Sequence, residues 1–221
     1  MKSKPATSPS SRRSAPRRAV GRPADTDGEE TRRRIMAAAQ KEFADKGYRE
    51  TSNKMVAERA GVTAGSIYHY FDSKRDLFLA VHDQIQEQVM ARLNTAFESA
   101  TTFKDAILRL LDEFERIRTQ MPSANGFTAV VRTEALRNPE IAQARVDAQW
   151  RTLFRRLTDL GVKTGEIDPS RAHLVRTVIS AINLGVVQHG SEATDSVHAE
   201  CMMALGELVN GTLLQPRRKG R

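Results

Sequence analysis

The sequence predicts an all-α protein of about nine helices, and three observations predict it. Apolar residues recur every three to four positions from residue 35 onward. No segment alternates apolar and polar residues over more than a few positions. Hydroxyl residues and glycines stand where the periodic runs start and stop. The 221-residue chain is 39% hydrophobic, enough for a real core. Its length suits one large domain or two small ones.

Residues 1–24 are rich in Ser, Pro, Ala and Arg without an apolar period, and read as a disordered basic arm. The first helix starts near Asp27, with Ile35, Ala39 and Phe43 on one face, and ends at Gly47. The hydroxyls of Thr51 and Ser52 precede a short helix that Gly61 stops. Thr63 can cap a third helix, Ala64 to about Tyr70, and Asp72 or Ser73 a long fourth one from Lys74. Leu77, Val81, Ile85, Val89 and Leu93 mark its apolar face, and Phe103, Ile107, Leu110, Leu111 and Phe114 mark the fifth. A short helix from Phe127 to Leu136 follows, then one from Asn138–Pro139 to about Leu160. Gly161, Gly165 and Asp168–Pro169 form a connector. Two helices close the chain, the first carrying Leu174, Val178, Ile182 and Val186, the second Val197, Cys201, Leu205, Leu208 and Thr212. The expected division is arm 1–24, N-terminal helical domain 25–73, C-terminal helical domain 74–214 and basic tail 215–221.

The formal charge is +8, yet 11 of the 35 cations sit in the two tails, and residues 25–216 carry 24 cations against 27 acids. Basic tails suit phosphate neutralisation, with a merely solubilising role as the plain alternative. The single cysteine, Cys201, excludes an internal disulfide framework and a zinc site of several thiolates. It falls on the apolar stripe of the last helix and reads as a small packing residue rather than a redox sensor. No run of about 18 apolar residues occurs, so no membrane helix is expected. The basic N-terminus lacks an apolar signal region, and a cytoplasmic protein is expected.

The segment from Thr51 to Lys74 carries the functional information. Two short helices joined at Gly61–Val62 form a helix-turn-helix pattern. Ala57 is small where the helices cross, Gly61 permits the left-handed turn, and Val56, Val62 and Ile67 make the apolar wedge. Thr63, Ala64, Gly65, Ser66, Tyr68 and His69 are then the outer face of the second helix, small and polar where it would press into a major groove. Thr51, Ser52, Lys54, Tyr70 and Lys74 flank it as candidates for phosphate contact.

With Phe43, Gly47–Tyr48, Tyr70–Phe71 and Ser73–Lys74 at consistent spacing, the stretch from about Gly28 to Val81 resembles the DNA-binding domain of the TetR/AcrR family of bacterial regulators. Asn53 and Met55 depart from the family pattern, which often has an apolar residue at the first position and an acidic or polar one at the second. The resemblance implies a repressor of a palindromic double-stranded operator, with no cofactor and no membrane partner. It implies a homodimer through the last two helices, about 171–190 and 196–214, with Val178, Ile182, Gly185, Cys201, Leu205 and Leu208 at the interface. The apolar girth of the first of these helices supports the dimer independently. The resemblance also implies a small-molecule effector, unidentified and expected to be apolar, in the C-terminal half. Phe97, Phe114, Phe127, Trp150 and Phe154 are the candidate pocket aromatics, with Arg132, Glu134 and Gln149 as polar neighbours. The fourth helix, 73–99, is the expected link between pocket and DNA. Arg17, Arg18 and Arg22 are candidates for an arm that touches DNA.

An enzyme is not expected: HExxH, GxSxG and a Gly-rich phosphate loop are all absent from the sequence. His82, Asp83 and Glu87 share a helix face that His173 could join at a metal, but a solvated face explains them, and no metal is expected. The rival function is a constitutive or architectural DNA-binding protein without a ligand response.

Overall fold

The computed structural model describes residues 24–144, 148–192 and 195–214; Arg17, Arg18, Arg22 and the basic tail lie outside them. Among the described residues every regular element is helical: ten α-helices and one short 3-10 turn. Helix α1 (Ala24–Glu50) carries a break at Gly47, whose φ of +80° favours glycine. Thr51 Oγ1 donates to the carbonyls of Gly47 and Glu42 at 2.8 and 3.0 Å, taking up acceptors that the helix end leaves open.

The turn chemistry of the next two helices follows the sequence. Ser52 Oγ accepts the Met55 N–H and starts α2 (Asn53–Ala60). Gly61 ends it at φ +65°, and the Val62 N–H returns to the Ala57 carbonyl at 3.0 Å. Thr63 Oγ1 accepts the Ser66 N–H at 3.1 Å and starts α3 (Ala64–Tyr70). Ser73 caps α4 (Lys74–Glu98), accepting from Asp76 N and donating to Asp76 Oδ2 at 2.7 Å.

Thr102 caps α5 (Phe103–Gln120), and Pro122 opens α6 (Pro122–Ala135), where its missing N–H costs nothing. Of the helix expected from residue 138 to 160, the described residues form α7 (Pro139–Ala144) and α8 (Ala148–Lys163). After a 3-10 turn at Pro169–Arg171 come α9 (Ala172–Glu192) and α10 (Asp195–Asn210).

Two apolar cores result. The first joins Ile35, Ala39 and Phe43 of α1 to Val56, Ile67, Leu77 and Phe78, and takes Ala124, Phe127 and Val131 from α6. The core of the N-terminal head (α1–α3) therefore continues past residue 73 into α4 and α6. The second core sets Met90 and Leu93 of α4 against Ala106, Leu110 and Ile117 of α5 and Leu153 and Leu157 of α8.

Phe127, expected at a pocket, is fully buried in the first core instead. Its ring lies 4.8 Å from Phe78 and 6.1 Å from Phe43, centroid to centroid. Phe127→Ala is expected to destabilise the protein by about 3–5 kcal/mol, the usual cost of emptying a buried aromatic site. Urea unfolding measures it, and an unchanged midpoint would contradict the packing role.

Candidate nucleic-acid interface and cavity

The outer surface of α3 is built by what its inner surface buries. Ile67 is fully buried, and Val62 and Phe71 pack beside it. This turns Thr63, Ala64, Gly65, Tyr68 and His69 outward, with the Tyr68 ring 59% exposed. Thr63 and Ser66 share a hydroxyl–hydroxyl hydrogen bond of 2.8 Å, so the start of the helix is stiff as well as small. The His69 ring meets the half-buried Tyr70 edge-on at 5.0 Å. Ser52 and Lys54 are exposed beside this surface.

Thr51 and Lys74 are placed differently from the rest of the expected set. Thr51 is only 1% exposed, and its hydroxyl is held inside the head. Lys74 Nζ donates to the carbonyls of Tyr48, Thr51 and Arg49 at 2.8, 2.9 and 3.3 Å. It also sits 4.6 Å above the Tyr48 ring. Burial of its stem pushes the ammonium pKa below the ordinary lysine value, against the pull of Glu134 and Glu50. Both side chains thus bind the frayed end of α1, which demands donors.

Two further cations hold the head. Arg34 Nη2 donates to the Ala60 carbonyl at 2.5 Å and the Gly61 carbonyl at 3.2 Å, closing the C-terminus of α2. Arg59 Nε pairs with Glu42 at 2.5 Å. Burial works to raise the Glu42 carboxyl, but hydrogen bonds and charge from Arg59 and Lys46 hold its pKa below the usual value. Sequence reasoning missed these pairs because they join residues 17 or more positions apart. Asn53 is nearly buried, and its Oδ1 accepts no hydrogen bond among the described residues.

Below the head, α4, α5, α6, α8, α9 and α10 line a cavity of about 680 Å³, within the range that holds a drug-sized molecule. Phe114, Trp150 and Phe154 line it, the first two with parallel rings 6.0 Å apart. Phe97 lies outside the lining, half-buried in the second core under the Arg156 guanidinium. Arg132 and Gln149 line the cavity, whereas Glu134 is buried elsewhere, 3.9 Å from Arg49. The lining is mixed rather than apolar: His82, Gln86, Arg118, Asn125 and Asn183 share it. His82 Nδ1 lies 3.4 Å from Asp83, His173 is exposed on α9, and no group of metal-ligating residues forms among the described residues. No described helix is long and apolar enough to cross a membrane.

On the far side, α9 and α10 present apolar surface. Leu174, Val178, Ile182, Leu184, Met203 and Leu208 are exposed, Val178 by 56%. Gly185 is exposed with open space around it, and Cys201 and Leu205 are half-buried.

The helix-turn-helix falls inside residues 35–81, the stretch matched by the family described as bacterial regulatory proteins, tetR family. This part of the chain is similar to that family. The chain is 32% identical over 120 residues to the HTH-type transcriptional regulator UidR of Escherichia coli K12, covering 53% of this chain and 58% of that protein. The chain thus spans little more than half the length of that relative. It is 25% identical over 160 residues to the HTH-type transcriptional activator FasR of Mycolicibacterium smegmatis, 71% of this chain and 70% of that one. Among solved structures, a Saccharomonospora viridis regulator in complex with choline has the same fold (TM-score 0.70, 21% identity, 83% of this chain and 95% of that one).

In this head the Lys74 ammonium is a structural donor. Lys74→Met keeps the stem and is expected to lose about 1.5–3 kcal/mol of stability, the range for a hydrogen-bonded charge. Thermal unfolding reads it, and an unchanged melting curve would return the ammonium to solvent.

Proposed function

We propose that the chain is a DNA-binding transcription regulator, acting as a homodimer and released from a palindromic operator by a small molecule. The observation that carries DNA binding is the outer surface of α3. It is small at its start, with Thr63, Ala64 and Gly65, and ends in the exposed ring of Tyr68. A helix with this profile fits a major groove with its N-terminal residues on base edges and its flanks on phosphate. Ser52, Lys54, Ser66, His69 and Tyr70 complete the proposed contact set, and the arm residues Arg17, Arg18 and Arg22 would add to it. Supporting the reading, the relatives named above are themselves called transcriptional regulators.

Exposed Val178, Ile182 and Leu208, with Gly185, Cys201 and Leu205 beside them, support a dimer through α9 and α10. A contiguous apolar face of this kind is what self-association covers. The ligand response rests on the cavity. One solved relative holds choline, and here α6 supplies cavity wall through Asn125, Thr128, Val131 and Arg132. The same helix seats the head, because a Cβ on Gly126 would meet the Ala44 Cβ at 3.3 Å and Gln40 bonds Ser123 at 2.9 Å. The link from cavity to DNA therefore runs through α6 as well as α4. FasR is named an activator, so release as the outcome of ligand binding is this chain's proposal alone.

Footprinting on the DNA flanking its own coding region tests the reading. A discrete two-fold protected site with half-sites about 34–36 Å apart is expected. Diffuse protection would favour an architectural protein. Tyr68→Ala is expected to cost about 1–3 kcal/mol of operator affinity with helical content and dimer intact; unchanged affinity would displace α3 from the groove. Lys74→Met should leave the salt slope of operator binding alone, whereas a slope shallower by about 0.9 would make Lys74 a phosphate contact. Val178→Asp should give monomers or aggregates in size-exclusion with light scattering, and an unaltered dimer would remove α9 from the interface.

A further inference from the structure

We propose that the cavity takes an uncharged amphipathic molecule, its flat or aliphatic body laid on Trp150 and Phe154 and its hydroxyl or amide head met by Gln86, Asn125 and Asn183. This rests on the reading of the cavity as the effector site and names the chemistry of the effector.

The wall arginine Arg118 already has its counter-charge. Arg118 is forked onto Glu115, Nε to Oε2 at 3.1 Å and Nη2 to Oε1 at 2.8 Å. His198 Nε2 lies 3.4 Å from the same carboxylate. Arg132 Nη1 donates to the Leu184 carbonyl at 3.4 Å. Asp83, Glu87 and Arg151 are exposed and keep their water. At this pair an anionic head would displace Glu115 from Arg118, and a cationic one would compete with Arg118 for Glu115. Either exchange strips a half-buried charge of its partner.

The neutral groups are not matched in this way. Asn183 Oδ1 is buried without a donor among the described residues. Gln86 Oε1 accepts the Trp150 indole N–H at 3.2 Å, which leaves its amide hydrogens for another acceptor. Asn125 donates to the Arg118 carbonyl at 3.2 Å, which leaves its own carbonyl oxygen as an acceptor. A hydroxyl, donor and acceptor at once, answers this set. The aromatic wall of Phe114, Trp150 and Phe154 supplies the complementary apolar surface.

Trp150 is the chain's single tryptophan and stands on the wall, so intrinsic fluorescence reads the cavity directly. Three probes with one body separate the classes: 4-phenylbutan-1-ol, 4-phenylbutyrate and 4-phenylbutyltrimethylammonium. The full chain is titrated with each. The alcohol is expected to bind at least about tenfold more tightly than either ion, because an ion leaves a partly dry charge unmatched. Asn183→Leu should remove most of the alcohol's advantage over butylbenzene while leaving butylbenzene binding unchanged. Binding of the carboxylate or the ammonium as tight as that of the alcohol overturns the proposal, and so does the absence of any fluorescence change with all three probes. Repeating the titrations on operator-bound protein separates this proposal from the switch. Alcohol binding without operator release upholds the ligand class and refutes the release mechanism.

Discussion

Phe127 enters an aromatic cluster that it does not belong to by sequence. Phe43 and Tyr48 come from α1 and Phe78 from α4, and the α6 ring closes the set from more than 45 residues away along the chain. Everything else depends on this contact. It fixes α6 against the head, so the turn between the two short helices is presented by a body that includes part of the C-terminal half. Gly126, one residue earlier, lets the α6 backbone approach Ala44 closely enough for the ring to seat. A larger residue there would push α6 outward and lift Phe127 from the cluster. The opposite face of the same helix then becomes cavity wall, through Thr128 and Arg132.

The head's own geometry was legible because it is local. Gly61 sits where only a left-handed residue closes the turn, and Ser52, Thr63 and Ser73 cap the helices that follow them. The four-residue spacing of Ile35, Ala39 and Phe43 gave the buried face of α1. What sequence periodicity does not contain is which apolar face meets which other. Phe127 reads as a helix aromatic of the C-terminal half and nothing local assigns it to the head. Thr51 and Lys74 look like surface groups because a hydroxyl and an ammonium carry no mark of the distant carbonyls that they satisfy.

The cavity shows the same limit from the other side. Phe114, Trp150 and Phe154 could be named from composition, but so were Phe97 and Phe127, which pack into the two cores instead. The cavity's polar character could not be named in this way, because Gln86, Asn125 and Asn183 come from three different helices and converge only after packing. Charge pairing between Arg118 and Glu115 is the one part with a local signal, an acid three residues before an arginine on one helix. The lining mixes aromatic rings with side-chain amides. The surface of α9 and α10 presents the reverse arrangement, with apolar side chains left facing water on helices whose inner faces are already packed.

The central claim is that α6 makes the head and the cavity one mechanical unit. The distribution of chromophores allows a direct test. All three tyrosines, Tyr48, Tyr68 and Tyr70, lie in the head or its edge, and the single tryptophan lies on the cavity wall. Equilibrium urea unfolding followed in parallel by tyrosine near-UV circular dichroism and by Trp150 fluorescence compares the two directly. Coincident transitions are the predicted result. Loss of the tyrosine signal at a clearly lower urea concentration, with the tryptophan signal still native, would show that the head melts independently of α6 and would contradict the account.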